Sequence, residues 1–241
     1  LYNLDRVNAS YWNKLDSLLS ICNDLDVIVQ IEIWATYDFY WHEQGWTINP
    51  FNPKLNSSYS VESSGLPDTI PYPPQSKINP FFKSIPSLGK DKNEKVLAFQ
   101  KQFVDQLLSV SFPYDNVLYC IDNETNVHHA WGKYWAKYLH KKADKRGKKI
   151  FVTEMWDHFD PSGGEVKGTY RQHPDLGGWF AKYTNPKLHK DANFSYSLTD
   201  TVSYQFLDVA NHNGQKGETH YKTALWVRNQ VEASGNYRPI T

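Results

Sequence analysis

The chain is poor in the features that mark several classes of protein. It has only two cysteines, and its 26 Lys and Arg balance its 26 Asp and Glu over 241 residues. Zero formal charge provides no electrostatic argument for nucleic acid or an anionic membrane surface as a partner. A membrane span needs about 18 apolar residues, and the longest candidate, from Val27 to Trp34, is interrupted by Gln30 and Glu32. We therefore expect neither nucleic-acid binding nor a membrane-spanning segment.

The two cysteines, Cys22 and Cys120, form neither a CxxC pair nor a regular framework. Zinc sites and disulfide-stapled scaffolds depend on such spacings. The cysteines therefore indicate neither a zinc site nor a disulfide scaffold. We predict no metal ligands among the site residues and no cofactor.

Aromatic residues, in contrast, make up 15% of the chain. Many lie in polar surroundings, as in the segments 34–42 and 153–159. Flat ring faces edged by hydrogen-bonding groups suit sugar rings, but large Trp and Tyr side chains also fill space around a core. Both interpretations stay open at this point.

Hydrophobic periodicity predicts that helices alternate with short buried strands. Helices are predicted over 11–23, with Ser10 as N-cap, and over 93–110, 130–145 and 218–233. Strands are predicted near 27–34, 116–123, 149–154 and 201–209, with the start of a fifth at 237–241. Residues 35–92 are rich in Pro, Asn and Ser and support no long element, so we expect a functional loop there.

Strands that alternate with helices indicate βα units and a parallel sheet. A doubly wound open sheet and an eight-stranded barrel are the two common closures, and no GxGxxG motif supports the dinucleotide-binding form of the first. Polar and aromatic residues instead follow the carboxyl end of every predicted strand, where a barrel builds its active site. We therefore expect a single α/β domain over 1–241, a (β/α)8 TIM-barrel-type parallel sheet with a loop insertion at about 35–92.

The strongest motif is Asn123-Glu124, which ends the apolar run that begins at Leu118. In this position it resembles the large clan of retaining glycoside hydrolases with a (β/α)8 barrel, in which an Asn-Glu pair ends the fourth strand. The resemblance implies that Glu124 is the general acid/base and that Asn123 holds the sugar 2-hydroxyl. Retaining hydrolysis uses two carboxyl groups about 5 to 5.5 Å apart, one as acid/base and one as nucleophile.

The resemblance covers strands three to six of such a barrel and implies that the sheet is incomplete. The clan's nucleophile is a second Glu at the end of strand seven, which we expect about five to ten residues beyond Thr241 on the basis of an ordinary strand length. We therefore expect a fragment of a larger enzyme whose remaining barrel strands come from the parent chain. Within the barrel, Cys120 would face inward and Cys22 would lie on an outer helix, so the two should not be bonded.

The expected partner is an oligo- or polysaccharide substrate, from which we infer secretion or a periplasmic location. Candidate substrate-binding residues, each of which could also be structural, are Asn123, Trp34, Tyr37, Trp41, Glu154, Trp156, Asp157 and His212. Trp34 and Trp41 are expected to stack on sugar rings, and the loop 35–92 to line one wall of the cleft.

Two other functions fit parts of the sequence. A barrel without its nucleophile would be a non-catalytic carbohydrate-binding or scaffold protein. The groups His128-His129, Asp157-His158, Asp160 and His173 could instead serve a metal-dependent hydrolase, although no HExxH motif is present.

Overall fold

The computed structural model describes most of the first two thirds of the chain and a few positions beyond. The described residues are 1–35, 45–69, 80–87, 93–123, 129–155 and 207–209, with the single positions 228, 232, 237, 239 and 240. Within them, helices and strands alternate along the chain around an apolar core. No helix in this part of the chain is both long and apolar enough to cross a membrane.

Three short strands form the sheet of the described residues. They are β1 (Val29–Trp34), β2 (Val117–Asp122) and β3 (Phe151–Thr153), in the order β1-β2-β3. Both pairings are parallel, with Val29 opposite Val117 and Tyr119 opposite Val152. The strands lie where the sequence predicts them, and the parallel sheet confirms an α/β arrangement.

β2 is the central strand, and all six of its residues are buried. Side chains alternate between the two faces of a strand. The Tyr119 hydroxyl lies 2.8 Å from Ser111 Oγ in the preceding helix, so Tyr119 faces the helix layer. Cys120 and Asp122 therefore face the other side of the sheet, as the alternation predicts for Cys120.

The strand predicted over 201–209 lies mostly outside the described residues. Its last three residues run along the edge of β3 away from β2, where the Asp208 N–H donates to the Val152 carbonyl (2.9 Å) and Thr153 Oγ1 donates to the Val209 carbonyl (2.8 Å). They do not form a regular strand, because the Val152 N–H donates to the Asp208 carboxylate (2.8 Å) instead of a backbone carbonyl. The described end of this segment nevertheless lies at the free edge of β3, where the next strand of the sheet is predicted.

Helices pack against the sheet and around the loop. They are α1 (Ala9–Asp24), the single turns α2 (Gly45–Ile48) and α3 (Val61–Ser64), a 3-10 helix (Pro80–Lys83), α4 (Glu94–Ser111) and α5 (His129–Asp144). The prediction of Ser10 as N-cap is wrong, because α1 starts earlier and the Asn8 side chain accepts the Tyr11 N–H (3.3 Å). The helix predicted over 218–233 lies almost entirely outside the described residues.

The long helices follow the same order as the strands. α1 meets α4 where the Trp12 ring lies 6.0 Å from the Phe103 ring. α5 meets the other side of α4, because Tyr138 Oη and Lys142 Nζ donate to the two oxygens of Asp105, at 2.9 and 2.7 Å. α4 therefore lies between α1 and α5, as β2 lies between β1 and β3.

The loop 35–92 packs onto the core in its described parts. Two buried amides organise it, because Asn52 Nδ2 donates to the Trp46 carbonyl and Asn56 Nδ2 donates to the Asn52 carbonyl, both at 2.9 Å. The Trp46 indole N–H in turn donates to the Pro67 carbonyl (2.8 Å). In its described residues the loop holds only single-turn helices, as expected, and its role as a cleft wall stays a prediction.

Candidate functional site

The carboxyl ends of the three strands meet at one edge of the sheet. Since the strands are parallel, the last residues of β1 and β2, Trp34 and Asp122, lie opposite one another. Backbone hydrogen bonds extend the sheet past its ends: the Asn123 N–H donates to the Trp34 carbonyl and the Met155 N–H to the Asp122 carbonyl, both at 3.0 Å. The structure thus brings Trp34, Asn123 and Glu154 together, three of the residues that the sequence singles out.

Glu154 lies directly after β3 and is buried, with 2% of its surface exposed. Its carboxylate rests against Gly132 in the first turn of α5, so closely that a Cβ atom at Gly132 would overlap both carboxylate oxygens. The amino end of a helix carries a partial positive charge that favours an anion. The contact of Glu154 that the structure describes is therefore with the first turn of α5, and the predicted role of Glu154 in binding sugar is not tested by it.

Three acidic side chains lie near Cys120, which belongs to β2, the strand beside β3. Burial raises the pKa of the Cys120 thiol well above its ordinary value, and the negative charges of Glu32, Glu154 and Asp122 raise it further. The thiol is therefore protonated, and Cys120 Sγ donates to the Asp122 carbonyl (3.2 Å). Both cysteines are free, as predicted.

These carboxylates are the side chains near the strand ends that could take part in acid/base or nucleophilic chemistry. Glu32 is exposed, whereas Asp122 is fully buried. Clustered carboxyl groups are what acid/base and nucleophilic glycoside hydrolysis requires. Within the described part of the chain, no group of three or more His, Cys, Asp or Glu residues could hold a metal ion.

Trp34 lies in an aromatic cluster of the core. It is 4% exposed, and five rings surround it at centroid distances of 5.2 to 6.2 Å: Phe51, Phe81, Phe103, Trp131 and Trp135. From the sequence, Trp34 is expected to stack on a sugar ring. The structure differs, because the loop 35–92 folds back and contributes Phe51 and Phe81 to the covering of the ring.

The indole N–H groups of Trp34, Trp131 and Trp135 are buried and have no acceptor among the described residues. An unmet buried donor costs about 1 to 3 kcal/mol, so three of them in one cluster are unusual. Sequence reasoning did not single out Trp131 or Trp135. Their spacing of four residues on a predicted helix was the available signal, since it places both rings on one helix face.

Asp208 is fixed between the sheet and α5. Its Oδ2 atom accepts the Val152 N–H (2.8 Å) and lies 2.9 Å from His140 Nε2. The hydrogen bond to Asp208 is the main cause that raises the pKa of His140, while burial opposes it and Asp144 adds a smaller upward effect. Asp208, near the end of the strand predicted over 201–209, is thus bound to other protein groups.

The His140–Asp208 pair predicts a pH-dependent stability. Because the folded-state pKa of His140 is raised above 6.5, its contribution is complete below that pH and is lost as the pH rises through the raised value. The side chains are 36% and 34% exposed, so we expect at most about 1 kcal/mol. Chemical denaturation of the wild type and His140→Gln from about pH 5.5 to 8.5 should show the wild-type advantage shrinking with pH.

Asp208→Asn is the matched control, because it keeps an acceptor for the Val152 N–H and removes the charge. Its stability should respond to pH no more than that of His140→Gln. An undiminished wild-type advantage at the alkaline end would contradict the ion pair.

Several predicted site residues lie outside the described residues. These are Glu124, Tyr37, Trp41, Trp156, Asp157 and His212. Their roles stay predictions that depend on the sequence.

Comparison with known proteins does not assign the chain. It matches no protein-family model, no curated protein and no solved structure. Any function must therefore be inferred from the residues at the strand ends themselves.

Proposed function

We propose that the chain belongs to a retaining glycoside hydrolase with a (β/α)8 barrel and that Glu124 is the general acid/base. One observation carries the proposal: parallel β2 leads through Asn123 directly to Glu124, and its neighbours bring Trp34 and Glu154 to the same edge of the sheet. The active sites of parallel βα barrels lie at this edge.

The proposed chemistry divides between two adjacent residues. Glu124 donates its proton to the glycosidic oxygen as the bond to the anomeric carbon breaks, and it then takes a proton from the attacking water. Asn123 binds the neighbouring hydroxyl and stabilises the oxocarbenium-like transition state. Buried carboxylates nearby, such as Asp122, favour the protonated form of a neighbouring carboxyl group.

The remaining parts of the proposal concern binding and the second carboxylate. Tyr37, Trp41, Trp156, Asp157 and His212 are proposed to contact an oligo- or polysaccharide substrate. The nucleophile is a Glu on the seventh strand of the parent chain, and its attack gives a covalent glycosyl-enzyme. A secreted or periplasmic location follows from the substrate class.

The stereochemistry of the product tests this proposal. The parent protein should hydrolyse members of a panel of aryl glycosides, and proton NMR at early times should show the first sugar product with the anomeric configuration of the substrate. Inversion would exclude the double displacement. Binding of oligosaccharides without hydrolysis would favour the scaffold function, and activity that chelators abolish would favour a metal-dependent hydrolase.

A further inference from the structure

The outer face of α5 carries a row of lysines at four-residue spacing. Its members, called the lysine row below, are Lys133, Lys137, Lys141 and Lys145. We propose that the lysine row binds an extended acidic polysaccharide, whose sugars carry carboxylate or sulfate groups. The existence of a binding surface is argued from α5 alone, whereas the choice of a glycan among polyanions rests on the proposed function.

Helix geometry places the lysine row in a line on the side of α5 that faces away from the core. Residues four apart advance about 6 Å along a helix and turn by only about 40°, so the four side chains span about 18 Å. The helical geometry extends to the last of them, because the Lys145 N–H donates to the Lys141 carbonyl (3.4 Å). The fully buried Trp135 and Leu139 lie on the opposite side of the helix. Three of the four lysines are exposed, and Lys133 is half-buried.

No ion pair compensates the charge of the lysine row. In the part of the chain that the structure describes, none of its four ammonium groups pairs with a carboxylate, whereas Lys142 beside them lies 2.7 Å from Asp105. Like charges four residues apart destabilise a helix, and the row contains three such pairs. The helices α1 and α4, in contrast, carry charges of both signs. The row therefore opposes the formation of α5, which favours a role in binding.

The helix dipole explains only part of the lysine row. Cations near the carboxyl end of a helix are favourable, but the effect falls off within the last turn. Lys141 lies in the last turn of α5 and Lys145 directly follows it. Lys137 lies before that turn, and Lys133 lies near the amino end, where the partial charge of the helix is itself positive.

The chain itself has no strongly acidic segment that would cover the row. Residues 133–149 include eight Lys and Arg but one Asp, so the rest of the neutral chain has seven more acidic than basic residues. These acidic residues are dispersed, since no two of them are adjacent anywhere in the sequence. Among the stretches that the structure does not describe, residues 36–44 have the most negative net charge, which is only −2. A polyanion from outside the chain therefore fits the row better than any segment of the chain.

Charge and shape favour a glycan among the extended polyanions. Domains that bind nucleic acid are strongly basic, whereas this chain is neutral and is acidic outside 133–149. A basic helix on an anionic membrane inserts its apolar face, but the apolar face of α5 is buried in the core. An acidic polysaccharide is a linear chain with charged groups along its length, so it can follow a straight row. The row also begins beside Gly132, which contacts Glu154 at the strand ends, so it would hold a polymer close to the proposed site.

The test measures the affinity of the natural gene product for polygalacturonate and dextran sulfate, with neutral dextran as the reference. The row variant combines three exposed positions: Lys137→Gln, Lys141→Gln and Lys145→Gln. Gln has a helix propensity similar to that of Lys, so α5 should remain folded. At about 50 mM salt the row variant should bind the two acidic polymers at least about tenfold more weakly, and the slope of log K against log salt should fall by about 2 to 3.

The matched control removes the same charge from exposed positions outside α5: Lys14→Gln, Lys54→Gln and Lys95→Gln. It should change the affinity by less than about threefold, because salt screens distant charges. Lysine acylation of the unmodified protein gives a second readout that needs no folded variant. Polygalacturonate should slow the acylation of the lysine row several-fold and leave the three control lysines unchanged.

Several results would overturn the proposal. They are equal losses in the two variants, equal affinity for dextran and the acidic polymers, or tighter binding of duplex DNA or phosphatidylserine vesicles through the lysine row. Binding of acidic polysaccharide through the row without any glycosidase activity would support this surface and contradict the proposed function. Hydrolysis of neutral glycans without binding of the acidic polymers would support the proposed function and contradict this surface.

Discussion

Replacing Gly132 by Ala is expected to lower the free energy of unfolding by about 3 kcal/mol, an effect opposite in sign to the usual one. Gly to Ala inside a helix ordinarily stabilises it by about 1 kcal/mol. At Gly132 the new methyl group would occupy the position of the Glu154 carboxylate, which is buried against the helix. Displacing a buried carboxylate from its environment and overpacking the core together cost several kcal/mol.

Changes at Glu154 separate this contact from other causes. In a Glu154→Ala background the space is empty, so Gly132→Ala should be neutral or stabilise by up to about 1 kcal/mol. In a Glu154→Gln background the side chain keeps its size, so Gly132→Ala should remain destabilising. Chemical denaturation of the six proteins measures the coupling energy between the two positions.

Gly147→Ala is the matched control at the other end of α5. Nothing lies within 4 Å of its Cβ position, but its φ of +64° is unfavourable for Ala, so we expect a loss of about 1 kcal/mol that is independent of Glu154. If Gly132→Ala stabilised the otherwise unmodified protein, Glu154 would not occupy the space beside α5.

The elements of the fold were largely predictable because their signals are local. β2 is an unbroken apolar run, and α4 follows Asn93 with apolar residues at helical spacing, so the structure has both within about one residue of the prediction. The parallel order also followed, since helices lie between the strands along the chain. The start of α1 was missed because Asn8 and Ser10 are both good caps and periodicity cannot choose between them.

The environment of the site was less predictable because it depends on distant segments. Trp34 is buried by rings from the loop 35–92 and from α4 and α5. No local sequence pattern indicates that these segments pack against it. Likewise, Leu18 shares the apolar spacing of Leu19 but is 50% exposed, because burial depends on which flank of α1 has a neighbour.

The glycine at position 132, inside a predicted helix, is a sequence signal of a close contact. A glycine in a strong helix costs about 1 kcal/mol, so its presence there indicates a close approach. The partner, Glu154, lies one strand later in the chain and could be named only from the structure. Residues at strand ends can thus be predicted as a group, whereas the direction in which each side chain turns cannot.

On the proposed function, Glu124→Gln in the natural gene product is expected to reduce turnover most for substrates with poor leaving groups. General acid catalysis contributes about 10² to 10⁴-fold, so natural oligosaccharides should lose about 10³-fold in kcat/KM. Aryl glycosides with activated leaving groups need little protonation, and the first step on them should change by less than about tenfold. Glu62→Gln, an exposed carboxylate in α3, is the matched control and should leave both activities unchanged.

Azide distinguishes loss of the acid/base from general damage to the site. With an activated substrate, Glu124→Gln should form the glycosyl-enzyme but hydrolyse it slowly, because the attacking water lacks its general base. Azide needs no base, so it should restore part of the rate and give a glycosyl azide of retained configuration. Circular dichroism and an unchanged unfolding midpoint would show that the fold is intact. Equal losses on both substrate types without an azide response would mean that Glu124 is not the acid/base, and the carboxyl groups beside it would then have to be tested in its place.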